Sequence, residues 1–557
     1  MRNTKKAFAL LLTAIMAASL ASCGGSNGST TTESSKSDTG ASTSKTESTA
    51  STESSAEEVV TDPGEVPDVE LPLTTEPVTL TYWVTFPSSG VTMNDLNENA
   101  FYQEMEKRTG VHLEFQMISS TERQTNFNLL IASNSLTDLI YTGASLYSEG
   151  VDAAIDDGYF MDLTDKIPEY MPHYQAIRMS DEEYYKLSTT DSGRMGAVYE
   201  FRQSKQGPWL GMWMRQDWLD KVNMEIPETY DEWHDVLAAF KDQCGATAPL
   251  ILNWSGSDAE IGMMSAGYGV YNKWQLDANG NVNYGPYMDG WKDYVTTMHQ
   301  WYTEGLIDPD FMATDQRMPD MTAVVTGATG AFTSLYTYPP MYESSSEDPN
   351  MNLTAVNPPV VNKGDTLHIR LRDSYTSGNT AISADCENWE IALKWLDYLY
   401  TEEGARLANY GIEGDTYTMV DGKPKYTDKI LNAPDGTTMA QAMDLYLCPS
   451  AGIANWSDWT RELQALPEKC VAAYDVWGKA DMSYTLPNVS LTQEESVERA
   501  AIFADASTYV KEKTAQFISG ALDIESNWDQ YIADLKSMNI ERAIEITQAA
   551  YDRYQAR

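Results

Sequence analysis

Fifteen tryptophans and 33 tyrosines stand in this sequence against 12 phenylalanines. Tryptophan and tyrosine each join a broad apolar face to one polar atom. They are therefore enriched where one edge of a ring meets water, at interfaces and binding sites. Core packing alone uses phenylalanine as readily. Sugars present apolar C–H faces rimmed by hydroxyls, so this excess points to stacking on carbohydrate, with most of the rings still serving as core. The candidates lie beside polar or small-residue segments. Trp209 and Trp213 precede the Arg215–Asp217 turn, and Trp254 lies in Asn-Trp-Ser-Gly-Ser-Asp. Trp456 and Trp459 pair in Asn-Trp-Ser-Asp-Trp-Thr. Arg215 and Arg372 are candidates for bidentate bonds to hydroxyls or to an acidic sugar, with an internal salt bridge as the competing use.

Catalytic signatures are missing. The five histidines, His112, His173, His234, His299 and His368, have no zinc-site spacing, and His-Glu-x-x-His does not occur. There is no phosphate-binding glycine loop and no Gly-x-Ser-x-Gly. Ser42 to Lys45 matches Ser-x-x-Lys only inside a low-complexity stretch. Carboxylate pairs abound, but a glycosidase needs two across one cleft, about 5–9 Å apart, which spacing along the chain does not show. No catalytic residue, metal or cofactor is expected, but a missing motif argues only weakly against an enzyme, since glycosidases often lack short signatures: a surface glycoside hydrolase stays open, as does a binder of peptide or another small solute.

The elements that must position these residues alternate. Pro77 to Phe86, rich in β-branched and aromatic residues, predicts a strand. An amphipathic helix follows, closed by Gly110, then a strand from Val111, a second helix, and a strand around Leu139–Tyr141. Strand–helix–strand–helix–strand is the pattern of a doubly wound, mainly parallel α/β sheet. Ligands bind such sheets at the carboxyl ends of strands, which makes Trp83 and Tyr141 further candidates. Farther on, Asp217 is placed to cap a helix from Trp218, and Thr229 or Tyr230 to start one running to Phe240. Trp389, Leu393 and Leu396 show helical spacing, punctuated by Gly404 and Gly411, and the tail is again helical.

The chain carries 38 Lys+Arg against 82 Asp+Glu, a net charge of −44. That argues against nucleic acid, which needs clustered basic residues, and against attachment to anionic lipid by charge. Cys244, Cys386, Cys448 and Cys470 are far apart; two disulfides and four free thiols remain open. At the start, Arg2, Lys5 and Lys6 precede about fourteen mostly apolar residues, Ala7 to Leu20. A spanning helix needs ~20, so this reads as a secretory signal over 1–22. Leu20-Ala21-Ser22-Cys23 resembles the lipobox of bacterial lipoproteins, which implies a diacylglycerol on Cys23 and an extracellular, membrane-anchored protein. Residues 24–76 are Ser, Thr, Gly and acidic, a composition expected to stay disordered. Such a tether of about 50 residues spans roughly 40 Å.

Taken in order, strand Pro77–Phe86, "GYFMDLTDKIPEYMPHY", "RQDWLDK", "IPETYDEW", "YTEGLIDPDF", "WLDYLYTEEG", "NYGIEGDTY" and the closing "AYDRY" resemble the family 1 extracellular solute-binding proteins. The likeness is greatest to the large lipoproteins of carbohydrate ABC importers in Gram-positive bacteria. The resemblance implies a two-lobed, periplasmic-binding-protein-like α/β clamp with its ligand between the lobes. By that analogy, 77–198 with 352–400 form the N-terminal lobe and 199–351 with 401–557 the C-terminal lobe. It also implies an aromatic under a sugar ring at Phe332 or Tyr336, after the small-residue loop. The partners implied are a carbohydrate, an oligosaccharide by the chain's length, and ABC permease subunits; the protein is expected to be a monomer. Many relatives hold calcium in an Asp/Asn/Gly-rich loop where this chain has "FKDQCGATAPLIL", and that carboxylate cluster is missing here.

Overall fold

The computed structural model describes residues 66 and 68–557, apart from 88, 92, 205–206, 253–261, 314–318, 320, 370–377, 434–435 and 450–452. The signal, Cys23 and most of the tether lie outside the described residues.

The first sheet starts with β1 (Val78–Thr85), followed by β2 (Val111–Ile118) and β3 (Leu139–Tyr141). β1 lies between the other two and runs parallel to both. The connecting helices end where the sequence indicates. Asn99 caps Ala100–Thr109 by accepting from the amides of Phe101 and Tyr102. Gly110 ends that helix at φ 76°, and a side chain there would meet the Thr74 carbonyl. β4 (Ala197–Tyr199) completes one edge, and β5 (Phe201–Arg202) leads out of the sheet.

The second sheet is built from β6 (Leu210–Arg215), β7 (Leu250–Ile251), and, after the hairpin of β8 (Trp274–Leu276) and β9 (Val282–Tyr284), β10 (Ala331–Leu335) and β11 (Leu353–Val356). Its order is β11-β6-β10-β7, with β6 antiparallel to both neighbours and β10 parallel to β7. Gly211 on β6 is a packing requirement, because a Cβ there would lie 2.2 Å from the Trp477 ring. The chain then returns, and β12 (Asn379–Ile382) slots antiparallel between β3 and β4, giving β2-β1-β3-β12-β4. Each sheet has its own apolar core.

Two expected boundaries move. β11 belongs to the second sheet, and Leu367 and Ile369 lie in its core, so the return falls after residue 369 rather than near 351. After helices Trp389–Tyr398 and Glu402–Tyr410 come the hairpin β13 (Tyr417–Val420) and β14 (Lys423–Tyr426) and helix Met439–Tyr446. Leu407, Ala408, Cys448, Ile453 and Ala454 join the first core, so the last crossing falls after β15 (Trp456–Ser457), not near 401. Gly404 marks close packing rather than a break: a Cβ there would collide with the Tyr398 carbonyl. From helix Glu468–Trp477 onward the chain covers the second core. The four cysteines among the described residues are free, and burial pushes the thiols of Cys386, Cys448 and Cys470 up to about 12, 11 and 11.

The final helix, Ile540–Ala556, starts in the second core and ends on the first half. Arg553 and Arg557 both meet Asp191, at 3.1 and 2.6 Å, and Arg557 donates to the carbonyls of Lys186 and Thr189. The Arg557 side chain is only 5% exposed, so removing its counter-charge strands a buried cation. Asp191→Asn should cost about 2 kcal/mol in urea unfolding. Gly211→Ala should cost about 1–3 kcal/mol by overpacking against Trp477; both values are read from the shift in denaturation midpoint.

Candidate functional site

Strand direction selects one edge in each half. The carboxyl ends of β1, β2, β3 and β4 share an edge of the first sheet, and β4 runs from it into β5 and the first crossing. In the second sheet, the start of β6 pairs with the end of β10, Leu210 opposite Leu335. Trp209 and Tyr336 are therefore neighbours where the chain arrives, and the Tyr336 amide donates to the Trp209 carbonyl at 3.1 Å.

The third crossing lies against the first. β15 pairs in parallel with β5, Trp456 opposite Phe201 and Ser457 opposite Arg202. Ser457 Oγ donates to Glu200 Oε1 at 2.9 Å. The strap is held from below by Asn409, a fully buried amide near the end of helix Glu402–Tyr410. Asn409 Nδ2 donates to the carbonyls of Ala405 and Trp456 at 2.7 and 3.0 Å, and its Oδ1 accepts from the Asp458 amide at 2.8 Å. Asp458 in turn caps the 3-10 turn Trp459–Ala465 and accepts from the Tyr410 hydroxyl at 2.6 Å.

That turn delivers the ring cluster. Trp459 Nε1 donates to Ser204 Oγ at 3.0 Å. The rings of Trp459 and Tyr474 have centroids 5.2 Å apart, and those of Tyr474 and Tyr336 are 4.9 Å apart. Gly207 lets the crossing segment lie on Tyr474, since a Cβ would sit 2.2 Å from its ring. The Tyr336 hydroxyl donates to Glu462 Oε2 at 2.9 Å. Burial first, then the Glu462 charge, push the Tyr336 phenol far above its ordinary range, so it stays a donor. Tyr141, half-buried at the end of β3, is pushed up to about 12 by burial and by the Glu200 charge. The partly exposed rings of Trp459 and Tyr474, backed by the buried Tyr336, thus form with a carboxylate and hydroxyl groups a surface suited to a polyhydroxylated ligand with apolar faces.

The sequence candidates divide. Trp209 meets Tyr336 through the backbone and Trp459 reaches Tyr336 through Tyr474, while Trp456 on β15 and Tyr141 at the end of β3 pack against the first core. Trp83, Trp213 and Phe332 are core: Trp83 packs on Phe127, Trp213 meets Trp477 edge-on at 5.4 Å, and Phe332 meets Tyr342 at 5.5 Å. Each is at most 1% exposed, and the expected stacking role gives way to packing because strand alternation turns these rings toward the covering helices. Arg215, also buried, is used internally. Asp217 takes two of its bonds at 2.8 and 2.6 Å, Asp348 takes one at 3.0 Å, and Trp218 lies beneath the guanidinium. Asp217 therefore does not cap its helix, which begins at Gln216. Trp254 and Arg372 lie outside the described residues.

Sequence reasoning missed Glu462, Tyr474, Ser204 and Asn409. Tyr474 and Trp477 are one helical turn apart, but only the fold shows that one faces the junction and the other the core. Among the described residues no three His, Cys, Asp or Glu side chains are grouped to hold a metal, and the "FKDQC" segment is a π turn ending a helix. No helix among the described residues is long and apolar enough to cross a membrane.

Two α/β halves of this topology, joined by paired crossing strands with a ring cluster at the junction, define a two-domain binding protein of the periplasmic type. The chain belongs to the bacterial extracellular solute-binding proteins, whose family model matches residues 87–406. It is 24% identical over 505 residues to the fructooligosaccharide ABC transporter substrate-binding protein FusA of Streptococcus pneumoniae, covering 84% of this chain and 89% of FusA. Among solved structures, the alginate-binding protein AlgQ2 without calcium ion is 25% identical with a TM-score of 0.66, covering 86% of this chain and 99% of AlgQ2. An extracellular solute-binding protein from Bifidobacterium longum subsp. infantis reaches a TM-score of 0.70 at 19% identity, covering 86% of this chain and 98% of that one.

Asn409→Ala removes four bonds from a fully buried position, the fourth being that from Arg461 to Oδ1 at 3.2 Å. It should cost about 2–4 kcal/mol, and it should also raise amide hydrogen exchange in 456–465 more than in β1 or β6.

Proposed function

We propose that the protein captures an oligosaccharide at the junction of its two lobes and presents it, chemically unchanged, to the permease of an ABC importer. The observation that carries this reading is the row Tyr336–Tyr474–Trp459 beside the Glu462 carboxylate, drawn from three segments that meet only at the lobe junction. Stacked rings supply apolar area to sugar C–H faces, and the carboxylate and hydroxyls supply partners for sugar OH groups. Support also comes from the relatives, one described as a fructooligosaccharide-binding ABC component and one as alginate-binding. Trp209, Trp456 and Tyr141 are the further ligand-facing candidates. In this reading a lipid on Cys23 holds the protein at the outer face of the cell membrane, near the permease. The protein works as a monomer.

The test is a titration of the full-length chain with plant and host oligosaccharides, followed by tryptophan fluorescence, with each mixture chromatographed afterwards. Saturable quenching with the sugar recovered intact is expected; shorter products overturn the reading in favour of hydrolysis. Trp459→Ala should weaken binding about tenfold, the loss of one stacking ring. Trp83→Phe, a change within the core, should leave affinity within about twofold while lowering stability by about 1–2 kcal/mol.

A further inference from the structure

The family spans neutral and acidic sugars: one relative is described by a neutral fructooligosaccharide, the other by alginate, a polyuronate. The junction carries a residue that separates the two. Glu462 sits on the 3-10 turn behind the hinge strand and is exposed, with its Oε2 held by the Tyr336 hydroxyl. Among the described residues no cation lies within salt-bridge distance of it. The nearby Arg461 is turned away, donating to the carbonyl and Oδ1 of Asn409 at 3.3 and 3.2 Å. Of the two arginines marked out by the sequence, Arg215 is spent on Asp217 and Asp348, and Arg372 lies outside the described residues. Arg461 feels its charge without bonding to it, and among the described residues the one hydrogen bond to the carboxylate is that from the Tyr336 phenol to Oε2, which leaves Oε1 to accept from a ligand.

We propose that Glu462 is a specificity-determining residue: it accepts hydrogen bonds from the hydroxyls of a neutral oligosaccharide stacked on the adjoining rings, and it excludes uronate oligosaccharides by charge. The inference rests on the carbohydrate reading above and goes beyond it by naming the class of sugar. A hydroxyl donating to an ionised carboxylate makes a stronger bond than one donating to a neutral acceptor. A sugar carboxylate in the same place has no proton to donate at neutral pH and meets a like charge. The net charge of −44 repels polyuronates at longer range, but that contribution is screened beyond about 8–10 Å in physiological salt, whereas the contact with Glu462 is not.

The experiment is calorimetric titration of the full-length chain and its Glu462→Gln variant. The ligands are fructo-, malto-, cello-, xylo- and galacto-oligosaccharides of three to six units, with oligogalacturonate and oligo-alginate of the same lengths. The neutral sugar that binds most tightly is then compared with its own derivative oxidised at primary hydroxyls to carboxylates. The expected result is a neutral ligand for the native chain, at least thirtyfold weaker binding of its oxidised form, and a penalty cut below about fivefold by Glu462→Gln, with the neutral sugar itself bound more weakly by the variant. The penalty in the native chain should survive 0.5 M NaCl. Uronates bound as tightly as neutral sugars overturn the inference and leave the carbohydrate reading standing. So does a penalty that Glu462→Gln leaves unchanged, or one that salt abolishes equally in both proteins. A folded chain that binds no sugar of either kind overturns both readings. Equal melting temperatures of the two proteins establish that the variant has not simply unfolded.

Discussion

The parallel pairing of β15 with β5 is the constraint on which the rest of the junction depends. Two residues on each strand are too short a ladder to hold by themselves. The pairing lasts because side chains pin it from both sides. Asn409 grips the strap through one carbonyl and one amide, Ser457 binds Glu200, and Tyr400 donates its hydroxyl to the Tyr199 carbonyl. With those pins in place, the turn after β15 has one course to follow, and Trp459 and Glu462 arrive beside Tyr474 and Tyr336. Asn409 repays its burial only because its donor and acceptor bonds form together; a half-satisfied amide there would be worse than an apolar side chain.

Charge is divided by the same logic of burial. Arg215, almost without solvent, is matched by two carboxylates and an indole face, as a buried guanidinium must be. Arg557 is likewise matched by Asp191 and two carbonyls. Glu462 needs no such matching, because it is exposed to solvent. A chain with more than twice as many acids as bases cannot neutralise every carboxylate internally. Most remain on the solvated surface and serve solubility. Glu462 differs in being fixed by a phenol that burial keeps protonated, next to rings that remain partly open.

The parallel start of the first sheet was legible because local signals agreed: β-branched runs, helical spacing and a glycine C-cap all place β1, β2 and β3 where they lie. The crossings were not legible. Nothing local distinguishes β11, which pairs with β6, from β12, which returns to β3, since the difference lies in partners far along the chain. Gly404 resembles a boundary in sequence and proves to be a helix contact. Composition pointed to tryptophan and tyrosine and drew attention to Trp209 and Trp459, whereas Tyr336 was marked only through the family resemblance. It could not say which tryptophans face inward. Trp213 and Trp209 are four residues apart on one β segment, yet one lies under Trp477 and the other beside Tyr336. Glu462 had no signal at all, being one carboxylate among 82 acidic residues until the fold sets it against a phenol.

The row of rings belongs to neither sheet. Tyr336 follows the last residue of β10, Trp459 comes from the strap, and Tyr474 lies on the helix that covers the second core. Such a surface exists in full only in arrangements that bring the strap, the first crossing and the end of β10 together. A ligand that stacks on Trp459 and Tyr474 therefore favours those arrangements over any in which the strap swings away, by as much as its contacts differ between them. Binding and lobe geometry are in this way one equilibrium. The hydrogen bond from Tyr336 to Glu462 contributes to it directly, because it ties the second sheet to the strap by a contact that either a ligand hydroxyl or a shift of the lobes must share.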